Sequence, residues 1–80
     1  MSKQLIIGVA STVRELRKKK GLSQEELAER ADLDRTYISG IERGVRNITL
    51  DSLELLILGL DIDITDFLKE LEVNLNKNKD

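Results

Sequence analysis

The stretch "GLSQEELAERADLDRTYISGIERG", residues 21–44, decides the fold. Ser23 and Glu26 stand three positions apart ahead of an apolar run. At that spacing the serine hydroxyl accepts from the third helical amide while the carboxylate reaches back to the cap. Leu27, Ala28 and Ala31 then give a short helix one apolar edge. After the tight connection "DLD", Asp34 is a good N-cap for another short helix, which Gly44 ends. Two short helices separated by only three or four residues have helix-turn-helix spacing.

On a helical wheel the helix after Asp34 divides cleanly. Ile38 and Ile41 mark its buried side, with Tyr37 flanking it. Thr36, Ser39, Gly40 and Arg43 lie opposite, and Arg35 projects from the first turn. This face is too polar for a core and too ordered for a linker. Arginine can donate two hydrogen bonds to guanine O6 and N7, and a threonine methyl can pack on a thymine methyl. Gly40 reads as relief of side-chain bulk where a groove wall would approach. The polar side therefore fits a DNA major groove.

Three more helices flank this pair. From Lys3 to Lys20 the residues Leu5, Ile6, Val9, Val13 and Leu16 recur at helical spacing, and Gly21 supplies a stop. Arg17 falls at the edge of that apolar face, whereas Arg14 and Lys18 point away from it. Thr49 caps a fourth helix, "LDSLELLILGL", and Thr65 a fifth, "DFLKELEVNL". The expected architecture is all-α: one compact five-helix domain over residues 1–74, with the helix-turn-helix in helices two and three. The final "NKNKD" has no apolar anchor, and residues 75–80 are expected to fray.

Composition narrows the function. The 80 residues include no cysteine, histidine or proline, and Tyr37 and Phe67 are the only aromatics. Disulfides, the usual zinc ligands, thiol nucleophiles and imidazole bases are absent together. No nucleophile–base constellation or cofactor loop is present, so neither an enzyme nor a cofactor is expected. Nothing resembles a signal peptide, and "LELLILGL" is too short to span a bilayer. A cytoplasmic protein without a membrane partner is the natural reading. Net charge is −2, but residues 1–50 carry +3 and residues 51–80 carry −5. Such a split suits a chain whose first half meets phosphate while its second half meets something else.

At this point the chain resembles the Cro/phage-repressor (XRE-type) helix-turn-helix family over roughly residues 12–70. The continuation "RTYISGIERGVRNITLDSLELLILGLD" is closer still to the controller proteins of restriction–modification systems. The resemblance implies a lambda-repressor-like domain whose third helix enters the major groove. It also implies a homodimer on a partly palindromic operator in double-stranded DNA, with two dimers on one operator as a further option. Such a bacterial, nucleoid-associated regulator would act on its own promoter and that of the endonuclease, as activator or repressor. The acidic half could contact RNA polymerase.

Carried over position by position, the family pattern makes Arg35, Thr36 and Ser39 base readers. Gln24, Tyr37, Arg43, Arg46 and Asn47 become contacts to the DNA backbone or groove edge. Arg17 and Glu42 match a structural ion pair of phage repressors. Two positions depart from the pattern. Asp32 stands where glycine is usual, and Asp tolerates a left-handed turn better than most residues. Ile48 stands where relatives often carry proline.

Plainer readings stand beside these. "RKKK", residues 17–20, suits a solvated helix end, where cations complement the C-terminal partial charge. The acids Asp61, Asp63 and Asp66 lack the glycine turn and closing glutamate of a calcium loop, so no metal is expected. In the fourth helix Leu50, Leu53, Leu56, Ile57 and Leu60 fill one face while Leu55 and Leu58 project elsewhere. With Phe67, Leu68 and Leu71 of the fifth helix, this surplus makes Leu55, Leu58, Phe67 and Leu71 the expected dimer interface. The alternatives are a general XRE-type repressor or antitoxin, and a helical protein-interaction module that does not bind DNA.

Overall fold

The computed structural model describes residues 3–77 of the chain. Local capping chemistry sets most of its element boundaries. The helices are α1 (Gln4–Lys19), α2 (Gln24–Ala31), α3 (Arg35–Glu42), α4 (Leu50–Gly59) and α5 (Ile64–Lys77), with no strand among the described residues. Both bonds of the capping box at α2 are made: the Glu26 amide donates to Ser23 Oγ (3.0 Å) and the Ser23 amide to Glu26 Oε1 (2.8 Å). Asp34 accepts from the Thr36 amide (2.8 Å) and Thr49 from the Ser52 amide (3.0 Å), which start α3 and α4. Gly21 and Gly44 follow α1 and α3 with positive φ, the conformation in which a helix end costs glycine least.

The core is aliphatic around one ring. Phe67 is 0% exposed and sits among Val13, Leu27, Ile38, Leu56 and Leu60, all fully buried. Each such side chain contributes about 1.5–3 kcal/mol through burial. α2 packs chiefly on α4 and α1 on α5, with α3 held between α1 and α2. Gly59 marks the closest crossing, because a Cβ there would lie 3.2 Å from the Ala31 amide nitrogen. The helix that requires this glycine is therefore α2 of the same chain. α1 and α5 share a buried polar clasp. Asn74 Nδ2 donates to Thr12 Oγ1 (2.9 Å), and that hydroxyl donates to the Gly8 carbonyl (2.7 Å). With no buried polar side-chain atom unpaired among the described residues, the clasp sets helix register without leaving an orphan group.

Four expectations need correction. α5 begins at Ile64, not after Thr65; the Phe67 amide donates to the Asp63 carbonyl (3.0 Å), so the first helical bond forms at Asp63. Nor does the chain fray at residue 75. Leu75 packs against the core over Gly8 and α5 runs on to Lys77, whereas residues 78–80 lie outside the described residues. Leu50, assigned to the buried face of α4, is 84% exposed. Phe67 and Leu71, assigned to a dimer interface, are both buried in the monomer core, where α5 folds back on α1. Only Leu55 and Leu58 of that set reach solvent.

Candidate nucleic-acid interface

α2 and α3 meet across a turn whose pivot is Asp32, in the left-handed conformation at φ 57° and ψ 42°. An L-residue pays for that conformation, and aspartate pays less than most. The Asp32 and Leu33 amides donate back to Glu29 and Ala28 carbonyls, which closes the end of α2. α3 then buries Ile38 and Ile41 and leaves Arg35 and Thr36 exposed at its first turn. Arg35 has no hydrogen-bond or ion-pair partner among the described residues, so its guanidinium is free to meet a ligand. Ser39, one turn on, is half-buried.

The inner side of α3 is fastened by charge. Arg17 Nε donates to Glu42 Oε2 (2.7 Å) and Arg17 Nη2 to Glu42 Oε1 (3.0 Å), a bidentate pair. Arg17 Nη1 also donates to the Leu22 carbonyl (2.8 Å), and Gln24 Nε2 to Glu42 Oε1 (3.1 Å). The Glu42 hydrogen bonds hold the Arg17 pKa above its ordinary value, against the opposing effect of burial. One carboxylate thereby ties α1, the start of α2 and the end of α3 together. Such short charge-assisted bonds are the strongest available to these groups. They fix the angle at which α3 leaves the scaffold.

Beside this pair lies a cleft of about 270 Å³ lined by Arg14, Arg17, Gln24, Ser39, Glu42 and Arg43. Glu42 is committed to Arg17, so the exposed Arg14 and Arg43 leave the cleft with surplus positive charge. Gln24 at the first turn of α2 adds a helix N-terminus, a natural seat for phosphate. Arg14 is the residue that sequence reasoning missed. Its position away from the apolar face of α1 was legible, but not that this side of α1 abuts α3.

At the other end of α3, Arg46 folds back. Its guanidinium stacks over the Tyr37 ring at 5.4 Å, within cation–π range. Its aliphatic stem crosses Gly40, where an added Cβ would collide with Arg46 Cγ. Gly40 therefore makes room for a side chain of the same molecule, not directly for a groove wall. Tyr37 is half-buried, and Asn47 follows Arg46 on the exposed surface. Arg35, Thr36, Ser39, Arg43, Arg46 and Asn47 thus lie along α3 and the segment after it, with Gln24 at the start of α2. Asp61, Asp63 and Asp66 line a separate cleft with Lys20 and Leu58. No group of residues placed to hold a metal occurs among those described, and no described helix is long and apolar enough to cross a membrane.

Two capped helices joined by a tight left-handed turn, the second presenting unpaired polar groups, define a helix-turn-helix protein. A family model described as "Helix-turn-helix" matches residues 13–67. Control protein C.MunI of Mycoplasma sp is 43% identical over 67 residues, covering 82% of this chain and 90% of that protein. A point mutant of the restriction–modification controller protein C.Esp1396I superposes with a TM-score of 0.94 at 40% identity, over 99% of this chain and 100% of the other. The same controller has been solved as a tetramer in complex with its natural 35 base-pair operator. That structure matches with a TM-score of 0.88 at 43% identity, over 90% of this chain and 95% of the other. The chain belongs to the helix-turn-helix family of restriction–modification control proteins.

Proposed function

We propose that the chain is a sequence-specific DNA-binding transcription regulator that controls a restriction–modification system. It acts in the bacterial cytoplasm, at the nucleoid, on its own promoter and that of the endonuclease, without cofactor or catalytic activity. Arg35, Thr36 and Ser39 read base edges in the major groove. Gln24, Tyr37, Arg43, Arg46 and Asn47, joined by Arg14, contact the backbone or groove edge. The observation that carries this reading is the free Arg35 and exposed Thr36 at the first turn of a helix whose inner side is clamped by Arg17 and Glu42. A rigid helix with unpaired donors at its N-terminal end is suited to base-edge readout.

Two copies bind a partly palindromic operator, with the α3 helices about one turn, or roughly 34 Å, apart. Two such dimers share one operator, a reading supported by the relative solved as a tetramer on its own operator. The acidic second half is left for contact with RNA polymerase. Footprinting on the DNA immediately upstream of the chain's own gene tests the reading. Protection of an inverted repeat is expected, with affinity falling steeply as salt rises. No protection at low salt would overturn it.

A further inference from the structure

α3 ends in a tight backbone closure. The Gly44 amide donates to the Ile41 carbonyl (3.0 Å) and the Val45 amide to the Gly40 carbonyl (3.1 Å), with Gly44 at φ 71°. In a helix end closed by this pair of bonds, an apolar residue at the place of Val45 commonly packs back on the side chain of the residue whose carbonyl it bonds, or of the one before. Here those residues are Gly40, which has no side chain, and Ser39, which is polar. The Arg46 stem fills the space over Gly40. Val45 is left 64% exposed on an anchored backbone. α1 backs the turn, since a Cβ on Gly44 would lie 4.0 Å from Ile7 Cγ1. We propose that Val45 is a specificity-determining residue that packs on the C5 methyl group of a thymine in the major groove. This contact rests on the DNA-binding reading above and adds base discrimination made without a hydrogen bond.

Isolated exposed apolar side chains are ordinary, so the surroundings of this one select its occupant. The first is charge. Arg43 and Arg46 stand exposed on either side of Val45 in the chain. A second copy set against this turn would bring like charges together, which is costly at a desolvated interface. A duplex instead offers each guanidinium a phosphate. The second is chemistry. Among the base edges of the major groove, the apolar group is the thymine C5 methyl. The third is rigidity. A β-branched side chain has few rotamers to lose, and its backbone is already fixed at both ends of the turn. Covering one methyl group is worth roughly fourfold in affinity per half-site, or about fifteenfold for a dimer on both.

The test is fluorescence anisotropy of the full chain on its footprinted operator. Each thymine is replaced in turn, in both half-sites together, by deoxyuridine, which removes the C5 methyl and keeps the hydrogen-bonding edge. For the unaltered chain, one position beyond any read by Thr36 should lose about fifteenfold in affinity. In Val45→Ala the same replacement should cost less than about twofold, while the effects at all other thymines persist. Val45→Ile should retain the dependence. Because the side chain is mostly in solvent, Val45→Ala should keep Tm within about 4 °C and leave the dimer dissociation constant unchanged in sedimentation. Half-sites without a thymine, or the same deoxyuridine profile for both proteins, would overturn the proposal alone. So would a Val45→Ala variant that weakens methylated and demethylated duplexes alike, as a sugar contact would, or one that shifts the dimer constant. Failure of the unaltered chain to bind any duplex is a separate result, which would overturn the DNA-binding reading and this contact with it.

Discussion

Replacing Glu42 with alanine tests the clamp that orients α3. The Glu42 side chain is 4% exposed and accepts three hydrogen bonds, two from Arg17 and one from Gln24. The Arg17 side chain is 11% exposed. After the substitution its guanidinium keeps only the bond to the Leu22 carbonyl and stays largely out of water. Removing one partner of a buried pair costs about 3–5 kcal/mol, most of it from the charge left behind. An 80-residue domain has a total stability of about 4–12 kcal/mol. In a domain of this size each 1 kcal/mol moves Tm by about 4–8 °C. Glu42→Ala should therefore lower Tm by at least roughly 12 °C, measured by circular dichroism at fixed protein concentration. Below the new Tm, the order of preference among operator variants should be unchanged. A fall of less than about 1 kcal/mol would mean that solvent screens the pair as it does at an open surface, and the argument would fail. So would a change in base preference without a loss of stability.

Other outcomes follow from the same geometry. Arg35→Ala should cost about 1–3 kcal/mol on the cognate operator and relax discrimination at one base position, whereas Arg46→Ala should weaken all sequences alike and reduce the salt slope by about 1; fluorescence anisotropy on a panel of duplexes separates the two. Gly59→Ala sets a Cβ 3.2 Å from the Ala31 amide nitrogen, and the strain should outweigh the gain in helix propensity of about 1 kcal/mol. A lower denaturant midpoint is expected. Glu26 is held below its ordinary pKa by the Ser23 backbone amide and then by its hydroxyl. A depressed folded pKa means that its stabilisation is complete above the ordinary glutamate range and is lost as pH falls through the folded value. Glu26→Gln should flatten the acid limb of the stability–pH curve over that window by lowering stability at neutral pH, while leaving stability below the folded pKa nearly unaffected.

What could be read from the sequence was what is local. Ser23, Asp34 and Thr49 cap their own helices with their own side chains, so three element starts follow from a few residues each. Asp32 in the left-handed turn is of the same kind. The start of α5 was harder, because Asp63 and Thr65 are both good caps and Ile64 between them is too exposed to mark which one begins the helix. Side-chain partition failed where it depended on a neighbouring helix. Phe67 and Leu71 were apolar enough for core or interface, and only the return of α5 across α1 decides between them. Leu50 has the right period for the core, yet it is the first residue of α4 and is left exposed there. Gly40 was singled out correctly as a place for close approach, but the approaching group is Arg46, six positions on and in another conformational class. Arg14 went unassigned because periodicity describes one helix and not what stands beside it.

The two sides of α3 are mechanically separate. Ile38, Ile41 and Glu42 face inward and hold the helix, while Arg35 and Thr36 face outward and hold nothing. Substitutions at the outer positions therefore carry almost no folding cost, and new target sites become accessible by single steps through variants that all remain folded. Retargeting is cheap in this architecture, whereas any drift at Arg17 or Glu42 tilts the whole reading head at once.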